Sequence, residues 1–475
     1  METVGLKNKR IRSGCILGGL LLFFLGMLAA YGVGVYNDSE QYITMHIHRE
    51  PLYPLFLAFF RVILGEGYLT ATAVAQNLLT AAGIWVLTEY ITAHFRLRLW
   101  EELMVVFLQV VPHLMTRYVS ALHIFLENSV MSEALCIPLF QFFLYFMLRV
   151  LFENRKRDRA WSLVFAFLLS MTRGQMMTTI LIWLAVQLLQ GILQIIRRGR
   201  PTAEGAVIRE TEHRLFVPVI LVIFVFGLRS LTVHVYNYAV TGYFMGNTYG
   251  QVNTLTNVIY ACDREDGEVF EEDSLERAFF DRFYDEADVL EANHKYGGET
   301  FTQRAAHLES YHDVLKFQVL EADLSAYYFG LGKIDYYQQS SMSDEMAGRM
   351  IRKLLPACFG QWLYDYVLLC TYGFIRSIAV VHPLINWFAL LCYGAALILS
   401  IWQVRRLKRS DAAWVMGLAL LFIAANVCAT SMTIMCLSRY MIYGFSLFYI
   451  AGFLLLREWM QKAAMERREN GISRY

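Results

Sequence analysis

Ten runs of apolar residues decide what this chain of 475 residues can fold into. A bilayer's hydrocarbon layer takes about 20 helical residues to cross. It offers no water to a bare backbone, so each crossing run must be helical. The first run spans Cys15 to Val35, and the later ones cover 69–93, 103–119, 130–152, 161–172, 176–196, 215–235, 384–404, 412–430 and 441–456. Composition agrees: 57% of residues are hydrophobic and 17% charged, against roughly 25% charged in a soluble domain. Eight cysteines without a CxxC pair read as small hydrophobes rather than a disulfide framework or a zinc site. The expected fold is an all-α polytopic membrane protein with about ten transmembrane helices.

Charge sorting gives the orientation. The segments 1–14, 94–102, 153–160, 197–214, 405–411 and 457–475 alternate with paired spans and hold 24 of the 42 Lys and Arg. Cytoplasmic loops carry that excess, so both termini are expected inside, in a cell membrane. No nucleic-acid partner is expected. The first run follows Lys7, Lys9, Arg10 and Arg12 and lacks a small-x-small cleavage site, so it reads as a retained anchor.

One insertion dominates the outer side. Between Asp263 and Lys353 there are 21 acidic and 10 basic residues, and the stretches 274–287 and 302–319 repeat apolar residues at helical spacing. A mainly helical extracytoplasmic domain is expected there, between helices seven and eight. The chain therefore divides into 1–236, a transmembrane core; 237–383, the acidic domain; and 384–475, the last helices and a cytoplasmic tail. Gln361 to Val381 is apolar but interrupted by Asp365 and Arg376, and Pro51 to Gly65 is short and contains Arg61. Both read as amphipathic helices at the outer interface.

The ionisable residues near the outer helix ends call for a function, because a charge close to hydrocarbon is costly unless paired or wet. Asp38 and Glu40 follow the first span, with His46, His48 and Arg49 behind them. His113, Arg117, Arg173, Arg229 and Arg439 close or open other spans. Several guanidiniums on one surface suit an anionic group such as phosphate, and a carboxylate beside them suits proton transfer from a hydroxyl. Snorkelling to lipid headgroups is the competing account of each arginine taken singly. His46 and His48 read as polar loop residues.

In their order and side, these residues resemble the GT-C-fold glycosyltransferases, multi-pass enzymes that take sugars from polyprenyl-phosphate carriers; protein O-mannosyltransferases and lipid A aminoarabinose transferases are members. The resemblance rests on Asp38-Ser39-Glu40 after the first helix, Arg49-Glu50-Pro51-Leu52-Tyr53-Pro54-Leu55, Thr172-Arg173-Gly174, and Ser438-Arg439-Tyr440. It covers about residues 10–235 and 384–456. Relatives often carry adjacent acids, whereas Ser39 separates them here; on an extended loop both would point to one side.

The resemblance implies an inverting transfer from a polyprenyl-phosphate-linked sugar to a hydroxyl of a cell-surface glycan, lipid or protein. Asp38 or Glu40 would be the base, and Arg49, Arg117, Arg173, Arg439 and Tyr440 would bind the donor phosphate. The split acidic spacing also resembles metal-dependent members, which leaves a divalent ion as an option and no other cofactor. A transporter or flippase of lipid-linked sugars is the alternative. Against it stand the lack of an internal repeat and of a carboxylate near the middle of any span; Glu89 and Glu133 lie toward span ends.

Overall fold

The computed structural model describes residues 2–120, 123–198, 204–378, 387–407 and 410–472. Pro383 and Leu384, at the expected end of the acidic domain and start of the eighth span, lie outside these residues, as do Lys408 and Arg409. The side chains of Lys7, Arg197, Arg198, Arg467 and Arg468 are not described either. Among the described residues the chain is helical, with a single isolated bridge between Gly34 and Ser129. Nine helices among them are long and apolar enough to cross a membrane, so this is a multi-pass, all-α architecture.

The expected fifth span, 161–172, falls within a helix, Lys156–Thr172, of 17 residues. At 1.5 Å per residue that is about 25 Å, short of the ~30 Å hydrocarbon thickness. The segment 51–65 is a helix, Leu52–Leu64, that runs through a tight turn at Gly65–Gly67 into Tyr68–Phe95. Its Leu55, Phe59, Val62 and Ile63 form one exposed apolar face, while Tyr53 and Leu57 turn inward. Pro54 is tolerated because the first-turn N–H groups lack helical partners in any case.

Two compact units are present. The first comprises Met1–Ser230, Ser377–Ala425 and Ile442–Tyr475. Its helices, in chain order, are α1 (Glu2–Tyr31), α2 (Ser39–Ile43), α3 (Leu52–Leu64), α4 (Tyr68–Phe95), α5 (Leu99–Tyr118), α6 (Ser132–Phe152), α7 (Lys156–Thr172) and α8 (Thr178–Arg198). α9 (Glu204–Thr241) leads out of it. α4 packs against α1 and α6, and α6 against α7. At one end of this unit Arg12 pairs with Glu102 at 2.9 Å and Arg457 with Glu101 at 2.7 Å. His94 meets Asp411 at 2.9 Å there. Four of the segments that the charge sorting grouped together thus share one end.

At another place in the same unit Gly32, at φ +67°, closes α1 by donating its N–H to Leu28 O at 2.8 Å. The chain then pairs Gly34 with Asn128 and Val130 through backbone bonds of 2.9 and 2.8 Å. Gln76 and Asn77 of α4 donate to the Glu127 carbonyl at 3.0 and 3.1 Å. His113 Nδ1 lies 2.6 Å from Glu127 Oε1, both side chains nearly inaccessible. This knot of buried polar groups fixes where α6 begins.

The second unit comprises Leu231–Arg376 and Asn426–Met441, so residues 426–441 pack with the acidic insertion rather than with the remainder of 384–475. Its helices are α10 (Gly250–Ala261), α11 (Leu275–Val289), α12 (Phe301–Val314), α13 (Ala322–Gly330), α14 (Tyr336–Ala357) and α15 (Phe359–Ile375), and a π-helical stretch at Leu315–Glu321 joins α12 to α13. α11 shows why: Phe279, Phe280, Phe283, Tyr284 and Ala287 recur on one face and are buried, and Ser274 Oγ caps it by accepting from Arg277 N at 3.2 Å. The expected interfacial charges, Asp365 in α15 and Arg376 just after it, have internal partners. Arg376 holds both oxygens of Glu309, and Asp365 faces Arg304 at 3.9 Å. Trp362, Leu368 and Leu369 of α15 belong to the unit's core.

Candidate active site

A chain of polar contacts in the first unit links the loop after α1 to the ends of α6 and α7. Asp38 Oδ1 accepts from Arg49 Nη2 at 2.8 Å. Arg49 Nη1 donates to the Tyr42 hydroxyl at 3.3 Å, its Nε donates to Gln41 at 2.8 Å, and its guanidinium lies 4.8 Å over the Tyr42 ring. The Tyr42 hydroxyl is 2.9 Å from Ser132 Oγ. Ser132 in turn lies 3.1 Å from Arg173 Nη1 and 3.3 Å from Glu133 Oε2. Arg173 Nη1 closes the set on Glu133 Oε1 at 2.7 Å.

One hydroxyl donates once and accepts twice, which orders these protons. Ser132 accepts from Arg173 and Tyr42 and donates to Glu133, and Tyr42 accepts from Arg49. Burial pushes the Tyr42 phenol above its ordinary value, with Arg49 pulling the other way, so it stays a donor. His46 is pushed below its usual range by burial and then by the Arg49 charge.

Local sequence explains each position. Ser132 and Glu133 open α6 directly after the buried knot. Arg173 sits in an extended break, φ −149° and ψ 134°, between α7 and the turn Gly174–Met177. A Cβ on Gly174 would stand 3.3 Å from Glu50 Oε1, so the small residue lets Glu50 approach. Glu50 pairs with Arg229. The Tyr443 hydroxyl is within electrostatic reach of Arg173, Glu133, Cys136 and Tyr42.

Asp38, Arg49 and Arg173 are therefore brought together. Glu40 and Arg117 make other contacts within the first unit. Asp38 and Ser39 adopt helical angles at the start of α2 rather than an extended loop, so Asp38 and Glu40 diverge by about 200° around the axis and Glu40 is exposed. Arg117 donates to His123 O at 2.6 Å and lies 4.2 Å over the Tyr31 ring. Arg439 and Tyr440 belong to the second unit, where Arg439 Nη2 donates to the Tyr440 hydroxyl at 3.0 Å. Four of the expected cations, Arg49, Arg173, Arg229 and His113, each face a carboxylate.

Glu133, Ser132 and Tyr42 were missed. Glu133 had a signal, a carboxylate within an apolar run, but its partner lies 40 residues away in sequence.

Among the described residues no three His, Cys, Asp or Glu side chains come together as a metal site. Asp38 is turned to Arg49, and Glu40 is exposed on another side of α2. The His46 and His48 rings lie 4.4 Å apart, and His46 Nδ1 faces the His48 backbone N–H. No family model, curated protein or solved structure matches this chain.

Proposed function

We propose that the chain is a membrane glycosyltransferase that moves a sugar from a polyprenyl-phosphate carrier to an acceptor hydroxyl on the extracytoplasmic side. The observation that carries this reading is the contact chain from Asp38 through Arg49, Tyr42 and Ser132 to Arg173 and Glu133. It joins a carboxylate at an accessible rim, 30% exposed, to a guanidinium that is 14% exposed. General-base catalysis needs the first and phosphate stabilisation the second.

In this mechanism Asp38 takes the proton of the acceptor hydroxyl. The hydroxyl oxygen forms a bond to the anomeric carbon, and the bond to the carrier phosphate breaks with its electron pair going to the phosphate oxygen. Arg49 aims Asp38. Arg173, held by Glu133 and Ser132, meets the charge that grows on the phosphate. One displacement inverts the anomeric centre. Glu40, on the other side of α2, contacts the acceptor rather than the reacting proton. Arg439 with Tyr440 is a second phosphate-binding candidate, and no step runs through a metal.

The grouping of basic helix ends through Arg12–Glu102 and Arg457–Glu101 supports a cytoplasmic end there and an extracytoplasmic site. The test is incubation of the purified protein in nanodiscs with radiolabelled polyprenyl-phosphate sugars. Release of polyprenyl phosphate with label on a hydroxyl acceptor is expected. An intact lipid-linked sugar in every case would sink the reading.

A further inference from the structure

The second unit contains an open cleft of about 450 Å3 between the start of α10 and one face of α14. Ser341, Glu345, Gly348 and Arg352 follow one another along α14 at steps of four, three and four residues, which puts them on one stripe, with Asp344 beside it. Asn247, Thr248 and Gln251 form the facing wall. Every lining residue is either polar or glycine. The apolar recess of about 600 Å3 between α3 and α4 of the first unit has the opposite lining.

The walls are fixed. Asp344 Oδ1 accepts from the backbone N–H groups of Tyr249, Gln251 and Val252 at 2.9, 2.9 and 3.2 Å. Thr248 Oγ1 lies 2.7 Å from Ser340 Oγ. Between them Tyr249 is held at φ 108°, a region that a residue with a side chain rarely adopts. Such strain persists only where surrounding bonds impose it, and it gathers at ligand-binding segments. Lys316 Nζ lies 3.6 Å from the Tyr249 ring centroid and secures it further. At the floor, a Cβ on Gly348 would stand 3.5 Å from Gln251 Cγ, an ordinary contact. Alanine fits there, and a larger side chain fills the cleft.

The chemistry of the lining narrows the occupant. Two carboxylates, Asp344 and Glu345, balance two guanidiniums, Arg349 and Arg352, and Arg349 is also tied to Glu276 at 3.0 Å. That balance gives no net attraction for an anion, and a wholly polar wall offers nothing to an acyl chain. Amides, hydroxyls, carboxylates and planar guanidiniums share hydrogen bonds with the adjacent hydroxyls of a sugar, and the volume is that of a small-molecule site.

We infer that this cleft binds a short neutral saccharide. Its role as the acceptor glycan of the transfer reaction rests on the function proposed above; binding itself does not.

Saturation-transfer NMR on the full chain in nanodiscs tests this, since maltoside detergents would supply sugar headgroups of their own. The linear trisaccharides of glucose, galactose, mannose and N-acetylglucosamine are offered one by one. At least one should receive saturation, and Gly348→Ala should preserve it. Gly348→Leu should abolish it, and Arg352→Ala should weaken Kd about tenfold or more, the loss of one charged hydrogen bond. No transfer to any of the four sugars, equal transfer with Gly348→Leu, or displacement by inorganic phosphate overturns the assignment. Saccharide binding without any glycosyl transfer supports the cleft and overturns the transferase role alone. Glycosyl transfer with the same acceptor KM in wild type and Gly348→Leu overturns the cleft's acceptor role and leaves both saccharide binding and the transferase reading in place.

Discussion

Replacing Glu133 by leucine removes one half of a charge pair whose side chains are 2% and 14% exposed. The Arg173 guanidinium then keeps Ser132 at 3.1 Å but loses the Glu133 carboxylate that lay 2.7 Å away. Breaking a buried pair from one side costs about 3–5 kcal/mol, because it strands the other charge. Arg173 retains a little exposure, so the lower end of that range is expected. Arg173→Met strands Glu133, which is the more buried of the two, and should cost more. Replacing a buried pair by apolar residues of similar volume is often neutral, so Glu133→Leu with Arg173→Met should come back to within about 1 kcal/mol of wild type. Denaturant unfolding in a fixed lipid-detergent mixture gives the three values, and a double-mutant cycle isolates the coupling. Glycosyl transfer should be lost in all three variants, including the restabilised one, which separates a catalytic role from a structural one. A coupling near zero, with both single variants as stable as wild type, would refute the buried pair. Full transfer in the double variant would refute its part in the chemistry.

Asp38→Asn should lower transfer about 10²–10⁴-fold as expected for a lost general base, with carrier binding intact by equilibrium titration, whereas Glu40→Gln should stay near wild type; equal losses would mean that both acids serve the reaction. With the exposed Cys15 and Cys392 replaced, a cysteine at Asp273 should react with an impermeant thiol reagent on whole cells and one at Arg157 should not, and the reverse result would invert the orientation. Asp365 is pushed up to about 6 by burial, against the smaller pulls of Gln361 and Arg304. The folded state then holds more protons than the unfolded one between about pH 4 and 6, so this group's contribution is favourable at low pH and lost as pH rises through about 6. Asp365→Asn should therefore raise thermal stability at about pH 7.5 relative to about pH 4.5, and an identical pH profile in wild type and variant would discount the buried carboxyl.

Hydropathy and charge made the membrane class and the helical insertion legible, since a spanning helix must be a long apolar run and an amphipathic one must repeat at helical spacing. Length was harder: the run 161–172 is as apolar as others, but its helix stops at Arg173, where an extended break aims the guanidinium. The acids after α1 were found, and their mutual geometry was misjudged. Asp38 with Gln41 three residues on has the spacing of a helix start, although Asp38 makes no capping bond and faces Arg49 instead. Glu133 could be seen in sequence only as an acid near a span end. Its role depends on Arg173, on Ser132, and on the knot around Glu127 that sets where α6 begins. Most of those contacts join residues 40 or more positions apart, and a single sequence carries no local sign of them. The pairing of Arg49, Arg173, Arg229 and His113 with carboxylates was hidden for the same reason.

The central claim is that Asp38 takes a proton while Arg173 meets a departing phosphate. It is tested most directly by following one radiolabelled polyprenyl-phosphate sugar in proteoliposomes with wild-type protein and with Asp38→Asn. The account predicts that wild type moves the label from carrier to acceptor hydroxyl with inversion at the anomeric carbon. Asp38→Asn should bind the same donor and leave it uncleaved. Label that crosses the bilayer with its sugar–phosphate bond intact, equally in both proteins, would contradict the account and make the chain a carrier of lipid-linked sugars.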